Sequence, residues 1–262
     1  KPTSKDDDDL EQLQELYGEA YFSRALCYSE LIKLFCNAYE SDEQAKNELG
    51  VVLRSHYNVS EELKRANLKD SYDFVLKDLD KAAEFLKVED DYPYAIYSSG
   101  YFNEYTAYAL RARILLYMRR WDDAITYASK VIKKGYFELS SASQMISSTE
   151  SYFQYMWTND LATETIWQVA FTTDSYGGAL GQIFFNYDDM SFRPDYVPSK
   201  CVLDLYSSSD LRYSTYFQTY TTGYPHALTW PLLWKYFGNT SFTSLGIIHT
   251  LMPKPFRISD QY

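Results

Sequence analysis

Cysteine is the first scarcity in this 262-residue chain: Cys27, Cys36 and Cys201 supply neither a disulfide framework nor CxxC metal spacing. If Cys27 and Cys36 share one helix, nine positions at about 100° each set them on opposite faces, so they do not pair with each other. Long apolar runs are missing too, and nothing approaches the roughly 20 residues of a membrane-spanning helix. Lys1 to Asp9 are polar, and the run Asp6 to Asp9 reads as a solvated leader, neither signal peptide nor anchor. Positive charge is also short. Against 36 Asp and Glu stand 25 Lys and Arg, a formal net charge of −11. No Lys/Arg-rich run offsets it, so the average field disfavours nucleic acid and anionic membrane surfaces and admits uncharged or cationic ligands.

The usual catalytic signatures are missing as well. His56, His226 and His249 are scattered, without HExxH or paired metal spacing. Neither GxSxG nor a P-loop is present, since Gly177-Gly178-Ala179-Leu180-Gly181 lacks the Lys-Ser/Thr that would hold phosphate. Carboxylates are plentiful, yet nothing marks two of them as a glycosidase pair. The expectation is a non-enzyme without metal or cofactor.

What the chain has in excess is aromatic rings, 27 Tyr, 15 Phe and 5 Trp, or 18% of residues. Tyrosine joins a flat apolar face to a hydroxyl, which suits surfaces half wetted by polar ligands, although most rings are expected to pack helices together. Apolar positions Leu13, Leu16/Tyr17, Ala20, Cys27/Tyr28, Leu31 and Leu34/Phe35 predict a long amphipathic helix ending near Asn37, with a lapse in the stripe near Arg24. Residues 40 to 68 are polar and aperiodic. Tyr72, Val75, Leu76, Leu79, Ala82/Ala83 and Leu86 then mark a second helix. Pro93 and Gly100 place a loop over residues 90 to 100. Asn103 is the expected N-cap of a third helix through Ala107, Ala109, Ala112, Leu115, Leu116 and Met118. After Arg119-Arg120-Trp121 a fourth follows, through Ala124, Ile125, Ala128, Val131 and Ile132, with Gly135 as its stop.

Such a tight pair with small residues at the seam is a tetratricopeptide-like hairpin, without a strict 34-residue period. Past residue 140, Ser-rich stretches, glycines and six prolines break up long helices. Thr165 to Phe171 reads as a strand and Ser199 to Tyr206 as a short helix. The expected fold is mainly α. Helical hairpins over 1–139 form a scaffold, and a loop-rich, partly β portion over 140–262 packs on it and carries the ligand site.

In order along the chain, these pieces resemble the SusD/RagB nutrient-binding lipoproteins of Bacteroidetes. Gly18-Glu19-Ala20-Tyr21-Phe22-Ser23-Arg24-Ala25 through Leu34-Phe35 is similar to that family's first long helix, with Cys36 where Gly is common. Tyr72 to Leu79 resembles its second helix, and Tyr108 to Tyr117 with Trp121-Asp122-Asp123-Ala124 its hairpin. Glu164 to Val169 is similar to the strand that follows. Asp195-Tyr196-Val197-Pro198-Ser199 through Leu205-Tyr206 with Asp210-Leu211-Arg212, and Pro253 to Tyr262, resemble later stretches.

The resemblance implies passive binding of glycan or another nutrient at the cell surface. It also implies delivery to a SusC-like TonB-dependent transporter, attachment through an N-terminal lipid absent from this sequence, and a chain truncated at both ends. The alternative from the helical half alone is a protein-binding tetratricopeptide scaffold. No ligand residue carries over from the family. From composition, two loop clusters are candidates: Tyr152, Tyr155, Trp157, Asn159 and Asp160; and Tyr220, Tyr224, His226, Trp230 and Trp234. Tyr176 beside two glycines is a third. Burial is expected for Trp121, Trp167 and Trp234, while Trp157 and Trp230 are evenly poised between packing and ligand.

Overall fold

Helix α1 (Asp7–Phe35) is the longest element. In a computed structural model the described residues are 7–58, 60, 62–88, 100–158, 162–169, 183–184, 187–188, 191–223, 227–236 and 256–257. The chain separates into two compact units, Lys1–Glu138 with Phe256–Tyr262, and Leu139–Pro255.

The first unit is built of helices. After α1 come α2 (Asp42–Asn47), β1 (Leu49–Val52), β2 (Arg65–Asn67), α3 (Leu68–Phe85), α4 (Glu104–Tyr117) and α5 (Trp121–Lys134). The polar stretch 40 to 68, unassigned from sequence, therefore holds a short helix and an antiparallel strand pair, Leu49 opposite Asn67. Helices α1 and α3 run antiparallel: Tyr21 stacks on Phe85 at 6.2 Å, and Tyr28 meets Phe74 edge-on at 5.1 Å. Midway, the Arg24 guanidinium donates to both carboxylate oxygens of buried Asp78 at 2.7 and 2.8 Å and lies over the Phe74 ring. This fork explains the lapse near Arg24, because a charge on the seam is matched and desolvated together with its partner. Gly18 belongs to the same seam, since a Cβ there would sit 2.5 Å from Leu86 Cγ.

The buried face of α1 differs from expectation. Gly18, Phe22, Ala25, Ser29 and Ile32 are covered, whereas Leu16, Leu31, Leu34 and Phe35 are 59%, 41%, 73% and 65% exposed. The helix is apolar on two opposite sides, and periodicity alone does not choose between them. Smaller residues allow closer approach, and α3 takes the side with Gly18 and Ala25. In α3 the expected face is the buried one, Tyr72, Val75, Leu76, Leu79, Ala82, Ala83 and Leu86.

Asn103 caps α4 through a full capping box, its side chain accepting from the backbone of Tyr105 and Thr106 while Thr106 Oγ1 accepts from the Asn103 backbone. The α4–α5 turn is a Schellman arrangement. Arg120 N–H donates to Leu115 O, Arg119 N–H donates to Leu116 O, and Arg119 takes the left-handed conformation (φ 59°). Gly135, also left-handed at φ 73°, ends α5 as anticipated. The α5 stripe is narrower than expected: Ala124, Ala128 and Val131 are buried, but Ile125 is 64% exposed. Trp121, expected inside, is 56% exposed, because as the first residue of α5 it precedes the stripe that faces α4. Cys36 lies one residue past α1, and all three cysteines are free.

The second unit has short elements: α6 (Tyr152–Thr158), β3 (Thr165–Trp167), β4 (Tyr187–Asp188), β5 (Ser191–Phe192), α7 (Lys200–Leu203), α8 (Leu211–Tyr216), β6 (Phe217–Thr221) and β7 (Thr229–Leu233), ending in a 3-10 turn at Trp234–Tyr236. β8 (Phe256–Arg257) falls in the first unit. The expected strand begins at Thr165 and stops at Trp167 rather than Phe171, and the expected helix over Ser199 to Tyr206 is reduced to Lys200–Leu203. β6 and β7 form a regular antiparallel hairpin, Phe217 opposite Leu233 and Tyr220 opposite Trp230.

Candidate functional site

Helix α8 runs without a linker into β6, so Tyr216 and Phe217 are consecutive residues at a change of backbone direction. Asp210 caps α8 by accepting from Arg212 N–H, and the Arg212 guanidinium folds back on the same carboxylate at 2.7 Å. That contact holds the Asp210 carboxyl below its ordinary range. Across the hairpin, Leu233 faces Phe217 and the chain turns through Trp234 and Lys235. Tyr216, Phe217, Leu233 and Lys235, together with Phe184, Tyr196-Val197-Pro198, Val202 and Tyr206, line a pocket of about 310 Å³.

The walls are ring-rich and cross-braced. Tyr206 meets Phe217 edge-on at 5.4 Å, and Tyr213 backs both. Trp157 packs edge-on to Tyr216 at 5.0 Å, with the Lys235 ammonium 4.2 Å from the Trp157 ring centre and 4.9 Å from that of Tyr216. The Trp230 indole N–H donates to Pro198 O at 2.7 Å, tying β7 to the Tyr196–Pro198 wall. Tyr220 stacks on Trp234 at 5.5 Å and meets Phe192 at a tilt at 4.6 Å; burial raises its phenol pKa, and its hydroxyl donates to Gln218. Tyr196 is 69% exposed at the rim. The arrangement offers flat apolar faces and phenol hydroxyls, the chemistry of a sugar ring's C–H face and its hydroxyl edge.

Of the residues singled out from sequence, Trp157 stands directly behind the pocket, and Tyr155 lies half-buried on the same helix α6. Tyr220 and Trp230 come together as a cross-strand pair, with Trp230 bracing the wall. Asn159, Tyr176 and Tyr224, with Asp160 and His226, lie outside the described residues. Among the described lining residues the rings are Phe184, Tyr196, Tyr206, Tyr216 and Phe217, none of which was singled out. Tyr196, Tyr206 and the Asp210–Arg212 cap fall within the stretch that carries the family resemblance, and that was the available signal. Tyr216 had none. Among the described residues no three His, Cys, Asp or Glu side chains could hold a metal ion, and no helix is long and apolar enough to cross a membrane.

Residues 2–116 match the SusD-like family described as "Starch-binding associating with outer membrane". No curated protein matches the chain. Among solved structures, a SusD superfamily protein from Bacteroides thetaiotaomicron superposes with a TM-score of 0.73 at 22% identity, over 99% of this chain and 55% of that one. A surface glycan-binding protein A from Bacteroides uniformis gives 0.65 at 14% identity, over 99% and 54%. A laminarin-binding SusD-like protein gives 0.65 at 19% identity, over 100% and 60%. The chain therefore spans little more than half the length of these relatives. The mainly helical fold read from the sequence is a SusD fold.

Proposed function

We propose that this chain, whose residues 2–116 match the SusD-like family and whose fold is that of SusD, binds glycan without cleaving it. The carrying observation is the ring-walled pocket of about 310 Å³. Tyr206 and Tyr216 offer faces for pyranose rings, and Tyr196 at the rim stacks the next unit. Trp157, Trp230 and Lys235 hold those walls in place. Burial of a sugar's C–H face supplies affinity, and the phenols orient its hydroxyls. The match to an outer-membrane starch-binding family and the similarity to surface glycan-binding and laminarin-binding proteins support this ligand class. In the whole protein the same reading extends to the outer membrane, to a lipid anchor, and to a SusC-like TonB-dependent transporter that receives the glycan.

The test is calorimetry and affinity electrophoresis against starch and β-glucan oligosaccharides. Binding without product release is expected. Tyr206→Ala should weaken it at least about ten-fold, or ~1.4 kcal/mol. Retention of no glycan, or binding indifferent to Tyr206, would remove the proposal. Capture of peptides in place of glycans would favour the tetratricopeptide-scaffold alternative.

A further inference from the structure

In hydrogen-bonding capacity the pocket is lopsided. Phe184, Val197, Pro198, Val202, Phe217 and Leu233 bring no polar side-chain atom to it. Its polar side chains are the phenols of Tyr196, Tyr206 and Tyr216 and the ammonium of Lys235. An ammonium only donates, whereas a phenol both donates and accepts. Among the described lining residues there is no carboxylate, no amide and no aliphatic hydroxyl. Backbone acceptors in the walls are already in use. Pro198 O accepts from the Trp230 indole at 2.7 Å, and Val202 O accepts from Leu205 N–H at 3.2 Å. Donors therefore predominate beside a surface that is mostly hydrocarbon.

A bare pyranose suits such walls with its C–H face alone. Each hydroxyl on its edge needs an acceptor for its proton, and burial without one lowers affinity. A substituent that brings hydrocarbon and an acceptor in place of a hydroxyl proton has the balance these walls require. An acetyl group is a small example, with a methyl for the apolar side chains and a carbonyl oxygen for a phenol or the ammonium. At about 310 Å³ the pocket is at the small end of ligand sites, the scale of one substituted sugar unit. Resting on the glycan reading above, we propose that the pocket selects a sugar unit carrying an acetyl group, as acetamide or acetate ester, over the same unit without it. A uronate would meet Lys235, but it brings a charge into hydrocarbon walls and into the field of a chain with net charge −11.

Saturation-transfer NMR on the whole 262-residue chain tests this with the methyl glycosides of N-acetylglucosamine, 6-O-acetylglucose, glucose and glucuronate. The acetyl methyl should receive more saturation than the glycosidic O-methyl of the same molecule. In competition, at least one acetylated glycoside should bind about ten-fold tighter than methyl glucoside, or ~1.4 kcal/mol. Which of the two does so tells amide from ester. Val202→Asn supplies the missing amide at a residue that is 42% exposed, so circular dichroism should not change. The preference for the acetylated unit should fall at least about three-fold in that variant. Equal binding of methyl glucoside, preference for the glucuronate, an acetyl methyl no more saturated than the O-methyl, or an unchanged preference in Val202→Asn would each overturn the proposal and leave the glycan reading standing. Absence of saturation in all four glycosides overturns it too, and together with no retention by starch or β-glucan it removes the glycan reading as well.

Discussion

At the scale of single residues, the first unit is governed by a few positions where size or charge leaves no choice. Gly18 is one, because a side chain there meets Leu86 Cγ at 2.5 Å and Phe85 Cβ at 3.1 Å. Gly18→Val should cost about 1–3 kcal/mol, seen as a lower urea midpoint with unchanged slope. Tyrosines give a second test. Burial is the main cause that raises Tyr72 to about 12, and burial followed by the charge of Glu104 does the same for Tyr108. An unfolded tyrosine ionises near 10, so between roughly pH 10 and 12 the unfolded chain has released protons that the fold retains. Stability from these groups is intact below pH 10 and falls as the pH rises toward 12, which phenolate absorbance and melting temperature measured together will show. Gly18 was legible from the family pattern. Burial of Asp78 was not, since its partner lies 54 positions away and periodicity sees only neighbours.

Among elements, helices α3 and α4 were the most legible, because capping and the apolar face agree. The Asn103 capping box satisfies backbone donors at the start of α4, so Asn103→Ala should lower stability by ~1 kcal/mol and the melting temperature by a few degrees. α1 was legible as a helix but not in orientation: with apolar residues on both sides, the neighbour decides, and α3 chose Phe22 and Ala25 over Leu16 and Leu31. The short strands β1 and β2 were missed for a related reason. Three or four residues give too few repeats to show alternation, and their pairing partners lie beyond a long loop.

For the whole molecule, the charge of −11 makes a testable distinction. If the ligand is a neutral oligosaccharide held by rings and hydroxyls, its affinity should change less than two-fold from about 0.05 to 0.5 M salt, because no long-range charge attraction is being screened. A steep salt dependence would point to a charged ligand. Calorimetry at several ionic strengths decides it, and uronate oligosaccharides added alongside would reveal any role of Lys235 at the pocket.

Composition and periodicity by themselves determined the helical class, most helix boundaries of the first unit, the Asn103 start and the Gly135 stop, since these depend on contacts within about four residues. Which side of α1 is inside, the exposure of Trp121 and the make-up of the pocket were decided only by tertiary structure. Tyr196, Tyr206, Tyr216 and Lys235 come from four separate stretches of chain. Each ring looked like any other ring in sequence, because a pocket is defined by distances between segments that folding alone brings together.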